Sequence, residues 1–122
     1  MDNKYSGFTS VEQGKKLSKI LPLTSIDFIW CIFSNGTKIL LRMDDWEVFE
    51  YAKHINVEII PCWSLDALLT IVAKQDFGKK SVYINDGQYN IDIQSRHCKI
   101  WFPSLIDAVI EMIIWLKENK KL

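Results

Sequence analysis

Cysteine is scarce in this sequence, and its spacing is loose. Cys31, Cys62 and Cys98 are the only three. The number is odd and no Cys-x-x-Cys occurs, which excludes the dense, even framework of a small secreted disulfide protein. Three half-buried thiols in a reducing cytoplasm are the expectation. A charge excess of either sign is also lacking, because fifteen basic and fifteen acidic side chains cancel. Nucleic-acid binders draw much of their affinity from a basic excess that releases counterions, so no nucleic-acid partner is expected. The same balance removes repulsion between copies and favours self-association. Long apolar runs are absent too. The longest, Leu105 to Leu116, is broken by Asp107 and Glu111 and falls far short of the roughly 20 residues of a membrane span. No apolar segment follows the opening Met1-Asp2-Asn3-Lys4-Tyr5, so no signal peptide is expected. With only five glycines there is no Gly-rich phosphate loop, neither GxGxxG nor Walker type.

What is present is the make-up of one folded domain. The chain has 122 residues, 48% hydrophobic and 25% charged, values ordinary for a globular protein with a single core. No repeat, linker or low-complexity segment interrupts it, so residues 1–122 read as a single domain.

The first helix is expected to start near Thr9 or Ser10, with Thr9 and Glu12 at capping-box spacing. Val11, Leu17, Ile20 and Leu21 form its apolar stripe, with Gly14 at the intervening turn. Lys15, Lys16 and Lys19 face water, and Pro22 ends the helix. Asp27 to Phe33, rich in β-branched and aromatic residues, predicts a strand. Asn35-Gly36 is a hairpin signal because both residues tolerate positive φ, and Lys38 to Arg42 is the returning strand. Trp46 and Phe49 suggest a short helix over Asp44 to His54, and Val57 to Ile60 fits either strand or loop.

The clearest element follows. Leu65, Leu68, Leu69 and Val72 fall on one helical face. Ser64 is a good N-cap, and Trp63 and Leu68 stand at the spacing of a hydrophobic staple. Ser81 to Ile93 predicts a second hairpin about Asp86-Gly87. Within it Tyr89, Ile91 and Ile93 alternate with Asn90, Asp92 and Gln94, as in a strand with one packed and one wet face. His97 to Phe102 predicts a further strand, able to pair with the first hairpin. The closing helix runs from Pro103 or Ser104 to about Asn119. Leu105, Ala108, Val109, Met112 and Leu116 line one face, and Ile106, Ile110, Ile113, Ile114 and Trp115 cover much of the rest. A helix apolar nearly all round is sandwiched in a core or buried in a partner interface.

Two segments together carry a resemblance. Phe8-Thr9-Ser10-Val11-Glu12-Gln13 with Lys16-Leu17 and Ile20-Leu21-Pro22 is one, and Ile60 to Leu69 is the other. They resemble a group of small uncharacterised proteins of gut Bacteroidetes and their phages and mobile elements. The closing helix of that group is similar to Pro103-Ser104-Leu105-Ile106-Asp107-Ala108 with Val109, Glu111, Met112 and Ile113. The element order also resembles the phage ABA sandwich domain, in which a capped helix precedes a small antiparallel sheet and an apolar helix closes the chain. The resemblance implies a fold and an accessory role, but no activity and no site residue.

No catalytic constellation stands out. His97 and Cys98 are neighbours, so on a strand they point to opposite faces and cannot share a metal. His54 and Cys62 lack the paired spacing of a zinc site. Asp44-Asp45 lacks the alternating ligands of a calcium loop, and Asp76-Phe77-Gly78 stands without any other kinase feature. No metal or cofactor is expected. Cys62 precedes a helix N-terminus that could lower a thiol pKa, although packing beneath Trp63 is the simpler role. The five tryptophans, Trp30, Trp46, Trp63, Trp101 and Trp115, are many for so small a core.

The fold expected is therefore α+β: a small, mostly antiparallel sheet of about four or five strands covered by about three helices, for which an α/β/α sandwich is one arrangement. The function expected first is that of a non-enzymatic cytoplasmic interaction module that binds a protein partner or itself through Ile110, Ile114 and Trp115. The second reading is a small-molecule binder, for example of a nucleotide, with an aromatic cleft at Trp63 and Trp101. The third is a small enzyme using Cys62 or His97.

Overall fold

The computed structural model describes residues 6–44, 50, 57–74, 80–93, 96–97 and 101–119. The expected helix over Asp44 to His54 lies outside them, apart from Asp44 in a turn and Glu50 in a helical conformation. The chain divides into two compact units, Phe8–Ala67 and Leu68–Leu122 with Met1–Gly7.

The first unit is built on three antiparallel strands in the order β2-β1-β3: β1 (Phe28–Ile32), β2 (Lys38–Arg42) and β3 (Glu58–Cys62). The β1–β2 hairpin forms where the Asn-Gly pair predicts it. Only Gly36 takes a left-handed φ, 89°, and the Phe33 amide closes the loop on the Thr37 carbonyl at 2.8 Å. Glu58–Cys62 is a strand because β1 offers it a full antiparallel register, Phe28 opposite Cys62 through Ile32 opposite Glu58. Pro61 is tolerated there. Phe33 and Asp27 bond toward β2, so by alternation Ile29 bonds toward β2 as well, and its partner Pro61 owes the ladder no N–H.

One face of this sheet is a core of Ile29 and Cys31 packed against Ile26, Phe33, Leu41, Met43, Val57 and Ile59. Helix α1 (Val11–Leu17) packs on β3. Its N-cap is Ser10 rather than Thr9. The Ser10 hydroxyl accepts from the Gln13 amide, and the Gln13 side chain accepts from the Ser10 amide. Thr9 is fully buried and engaged elsewhere, which moves the box one residue along. Leu17 is fully buried, worth about 1.5–3 kcal/mol. Gly14 is not a loose turn residue but the point of closest approach. A Cβ there would lie 2.1 Å from the Pro61 carbonyl oxygen.

Helix α2 (Leu65–Ala73) begins where Ser64 caps it, the Ser64 hydroxyl accepting from the Ala67 amide at 3.1 Å. The division between the units falls within this helix.

The second unit contains β4 (Lys80–Asn85), β5 (Gln88–Ile93) and the two-residue β6 (Arg96–His97), antiparallel in the order β4-β5-β6. Asp86 and Gly87 both adopt left-handed φ, 51° and 72°, in the two-residue turn their identities predict. Of the strand expected over His97 to Phe102, residues 98–100 lie outside the described residues. Arg96–His97 pairs with β5, not with the first hairpin, and Phe102 forms an isolated bridge to Tyr89. The expected wet face of β5 is corrected at Asn90, which is only 2% exposed beside Ile91 at 4%. Helix α3 (Leu105–Glu118), capped by Ser104, packs along β5.

The fold is α+β, with the strands in two small antiparallel sheets. Among the described residues no helix is long and apolar enough to cross a membrane.

Candidate functional site

Thr9, Asp27, Cys62, Trp63 and Ser64 meet at one end of the first unit's sheet. Thr9 is the hub. Its amide donates to the Trp63 carbonyl at 3.0 Å, and its hydroxyl accepts from the Trp63 amide at 3.1 Å. Its carbonyl accepts from Trp30 Nε1 at 2.9 Å and from Cys62 Sγ at 3.5 Å. Trp63 is fully buried, its indole N–H donating to Ser25 Oγ at 2.9 Å. Asp27 accepts from the Ser64 amide at 2.9 Å and from the Ser64 hydroxyl, tying β1 to the start of α2.

This network is chemically closed. Cys62 is fully buried, and burial pushes its thiol up to about 11, away from the thiolate a nucleophile requires. The thiol donates to the Thr9 carbonyl, and the charge of the neighbouring Asp27 carboxylate adds to the upward shift. Position before a helix N-terminus therefore does not activate it, because desolvation outweighs the helix dipole. Trp63 offers no face to a ligand, since its ring is sealed and its N–H is occupied. Trp101 is 38% exposed and belongs to the second unit. His97 lies on β6, and its side chain is outside the described residues, as is Cys98. Among the described residues no three His, Cys, Asp or Glu side chains cluster as metal ligands. The same end of the sheet carries a depression lined by Asp27, Phe28, Arg42, Met43 and Asp44. Its Arg42–Asp44 ion pair, 2.9 Å long, is exposed at both ends.

Much of the closing helix is buried. Ile110 is 5% exposed, and Ile106, Val109, Met112, Ile113 and Leu116 are also buried. Ile114 and Trp115 remain half-buried. Exposed apolar surface is concentrated instead on β4, where Val82, Tyr83 and Ile84 are 46%, 48% and 68% exposed. Successive strand residues point to opposite faces, so β4 is uncovered on both sides, whereas its neighbour β5 is covered on both.

The outer edge of β4 is also open. The Tyr89 amide and carbonyl bond to Phe102, at 2.8 and 2.9 Å. They therefore point away from β4, which makes Ile84–Tyr89 a non-hydrogen-bonded pair. By alternation Val82–Ile91 and Lys80–Ile93 are too. Lys80, Val82 and Ile84 thus turn their amides and carbonyls outward, and among the described residues no strand meets them. The other hairpin edge, β2, is bounded by the charged Lys38 and Arg42, a common guard against edge pairing. Sequence reasoning passed over β4, although Val82-Tyr83-Ile84 carried a signal. Three consecutive apolar residues on a strand cannot all face one core.

No family model matches the chain, and no solved structure matches it. It is similar to an Integrator complex subunit 1 homolog from Dictyostelium discoideum, 32% identical over 81 residues that make up 62% of this chain. The chain spans only 3% of the length of that protein.

Proposed function

We propose that this protein is a non-enzymatic interaction module that binds another protein chain by strand addition along β4. The observation that carries the reading is an edge strand with Val82, Tyr83 and Ile84 exposed on both faces and with outward backbone groups at alternate residues. An incoming strand would satisfy those groups and cover the apolar side chains, with main-chain bonds giving affinity and alternate side chains giving specificity. The closed network around Cys62 and Trp63 supports a binding role over catalysis. The resemblance to phage and mobile-element proteins supports an accessory role. Ile114 and Trp115 form a second, smaller candidate surface.

A photo-reactive phenylalanine analogue in place of Tyr83, irradiated in a lysate of the host, tests the reading. A cross-link to a protein chain, lost when Val82 and Ile84 are both changed to Lys, is expected. An absence of any cross-linked protein, with the fold intact by circular dichroism, would refute it. Loss of the complex in Trp115→Ala alone would move the surface to the closing helix.

A further inference from the structure

We infer that the occupant of the β4 edge is a second copy of this chain, paired antiparallel with its own β4 about a two-fold axis at Tyr83. The inference rests on the interaction reading above and names the partner. An isologous contact requires one patch to complement itself, and the register of β4 does so. Val82 and Ile84, which turn their backbones outward, lie two residues apart on one face. With Tyr83 opposite Tyr83, Val82 of each copy stands across from Ile84 of the other. These become hydrogen-bonded pairs, each exchanging two main-chain bonds.

The same register covers the apolar surface. Val82 and Ile84 meet on one face, and the two Tyr83 rings meet on the other in a close, non-hydrogen-bonded pair. It also sets Ser81 across from Asn85 of the second copy, polar against polar at both ends of the pairing. Shifting the axis to Val82 would place Lys80 against Ile84, and shifting it to Ile84 would leave Val82 beyond the end of the second copy's strand at Asn85. Either alternative leaves one of the two apolar residues without an apolar partner. The chain carries no net charge, so no long-range repulsion opposes two copies meeting. A single strand pair covers less than the roughly 800 Å² per partner of a standard stable interface. The dimer is accordingly weak and concentration-dependent.

Sedimentation velocity on the intact chain from micromolar to millimolar concentration, beside hydrogen exchange, tests this. A monomer–dimer equilibrium is expected, with the Val82 and Ile84 amides gaining protection as dimer forms. The Tyr83 amide, bonded to β5, should be protected throughout. Val82→Pro removes only an outward N–H and suits an edge strand. It should weaken the dimer by at least about tenfold, as loss of two symmetry-related hydrogen bonds implies. A chain that stays monomeric at every concentration overturns the inference, and the Tyr83 cross-link to a different protein then decides the broader reading separately. A dimer that forms without new protection at Val82 and Ile84 overturns it as well, whether or not the proline variant folds.

Discussion

Gly14→Ala should destabilise the first unit, although helix propensity alone predicts the reverse. In an exposed helix interior, alanine is better than glycine by about 0.8–1.0 kcal/mol. At Gly14 the added methyl would lie 2.1 Å from the Pro61 carbonyl oxygen and 3.2 Å from Ile60 Cγ2, where ordinary contact begins at 3.4 Å. The first neighbour is backbone held in β3, so no rotamer change relieves it. Helix α1 must retreat from the sheet by roughly an ångström, which forfeits a quarter to a half of the dispersion across that contact. Overpacking of this kind costs about 1–3 kcal/mol, enough to reverse the propensity gain. Urea unfolding monitored by tryptophan fluorescence reads the outcome, since Trp30 and Trp63 are both buried in this unit. Less the propensity gain, a net loss of about 1 kcal/mol at a slope near 1–3 kcal/mol per molar lowers the midpoint by about 0.5 M. Gly7→Ala, whose methyl would meet nothing within 4 Å, is the control and should leave the midpoint in place. A Gly14→Ala protein as stable as the parent would refute the close approach of α1 to β3.

Two further outcomes follow from the network around Thr9. Thr9→Val keeps the shape but leaves the buried Trp63 amide without its acceptor, at a cost of about 1–3 kcal/mol, whereas Thr9→Ser keeps the hydroxyl and should cost about 1 kcal/mol or less; equal urea midpoints for the two variants would refute the hydrogen-bond argument. The Cys62 thiol is raised from 9.0 to about 11 by burial, so the folded state holds this proton more tightly than the unfolded state. Its contribution to stability is complete below about pH 9 and is lost as pH rises from about 9 to 11. Urea midpoints across that window should fall less in Cys62→Ala than in the parent, and rapid alkylation of native Cys62 at pH 8 would contradict its burial.

Several elements were legible because their causes are local. Ser64 before Leu65, Leu68 and Val72 specifies a helix start within a few residues. Asn35-Gly36 and Asp86-Gly87 specify turns through backbone freedom at the turn itself. Ser104 caps the closing helix on the same principle. The helix start at Ser10 is one of the two expected, but the capping box joins Ser10 to Gln13 rather than Thr9 to Glu12 for a non-local reason, since Thr9 is held by Trp30, Cys62 and Trp63, which lie 21 to 54 positions away. Exposure of the candidate site residues was not legible in the sequence, because it depends on which elements cover them. Cys62 and Trp63 have the right residue types for chemistry or stacking, but burial closes them. Ile110 has the right type for an interface but is covered.

The sequence by itself determined the α+β class, both hairpins and the caps of α2 and α3, because propensity, turn geometry and capping act over neighbouring residues. Only the tertiary structure decided that the strands form two sheets, that β6 joins β5, that Pro61 occupies a position owing no N–H, and that among the described residues no strand pairs with the outer edge of β4. Each of these depends on which strands meet and on which side their backbone groups point. Pairing partners lie far apart in the chain, and the period of two that marks a strand is the same whether its edge is bonded or free.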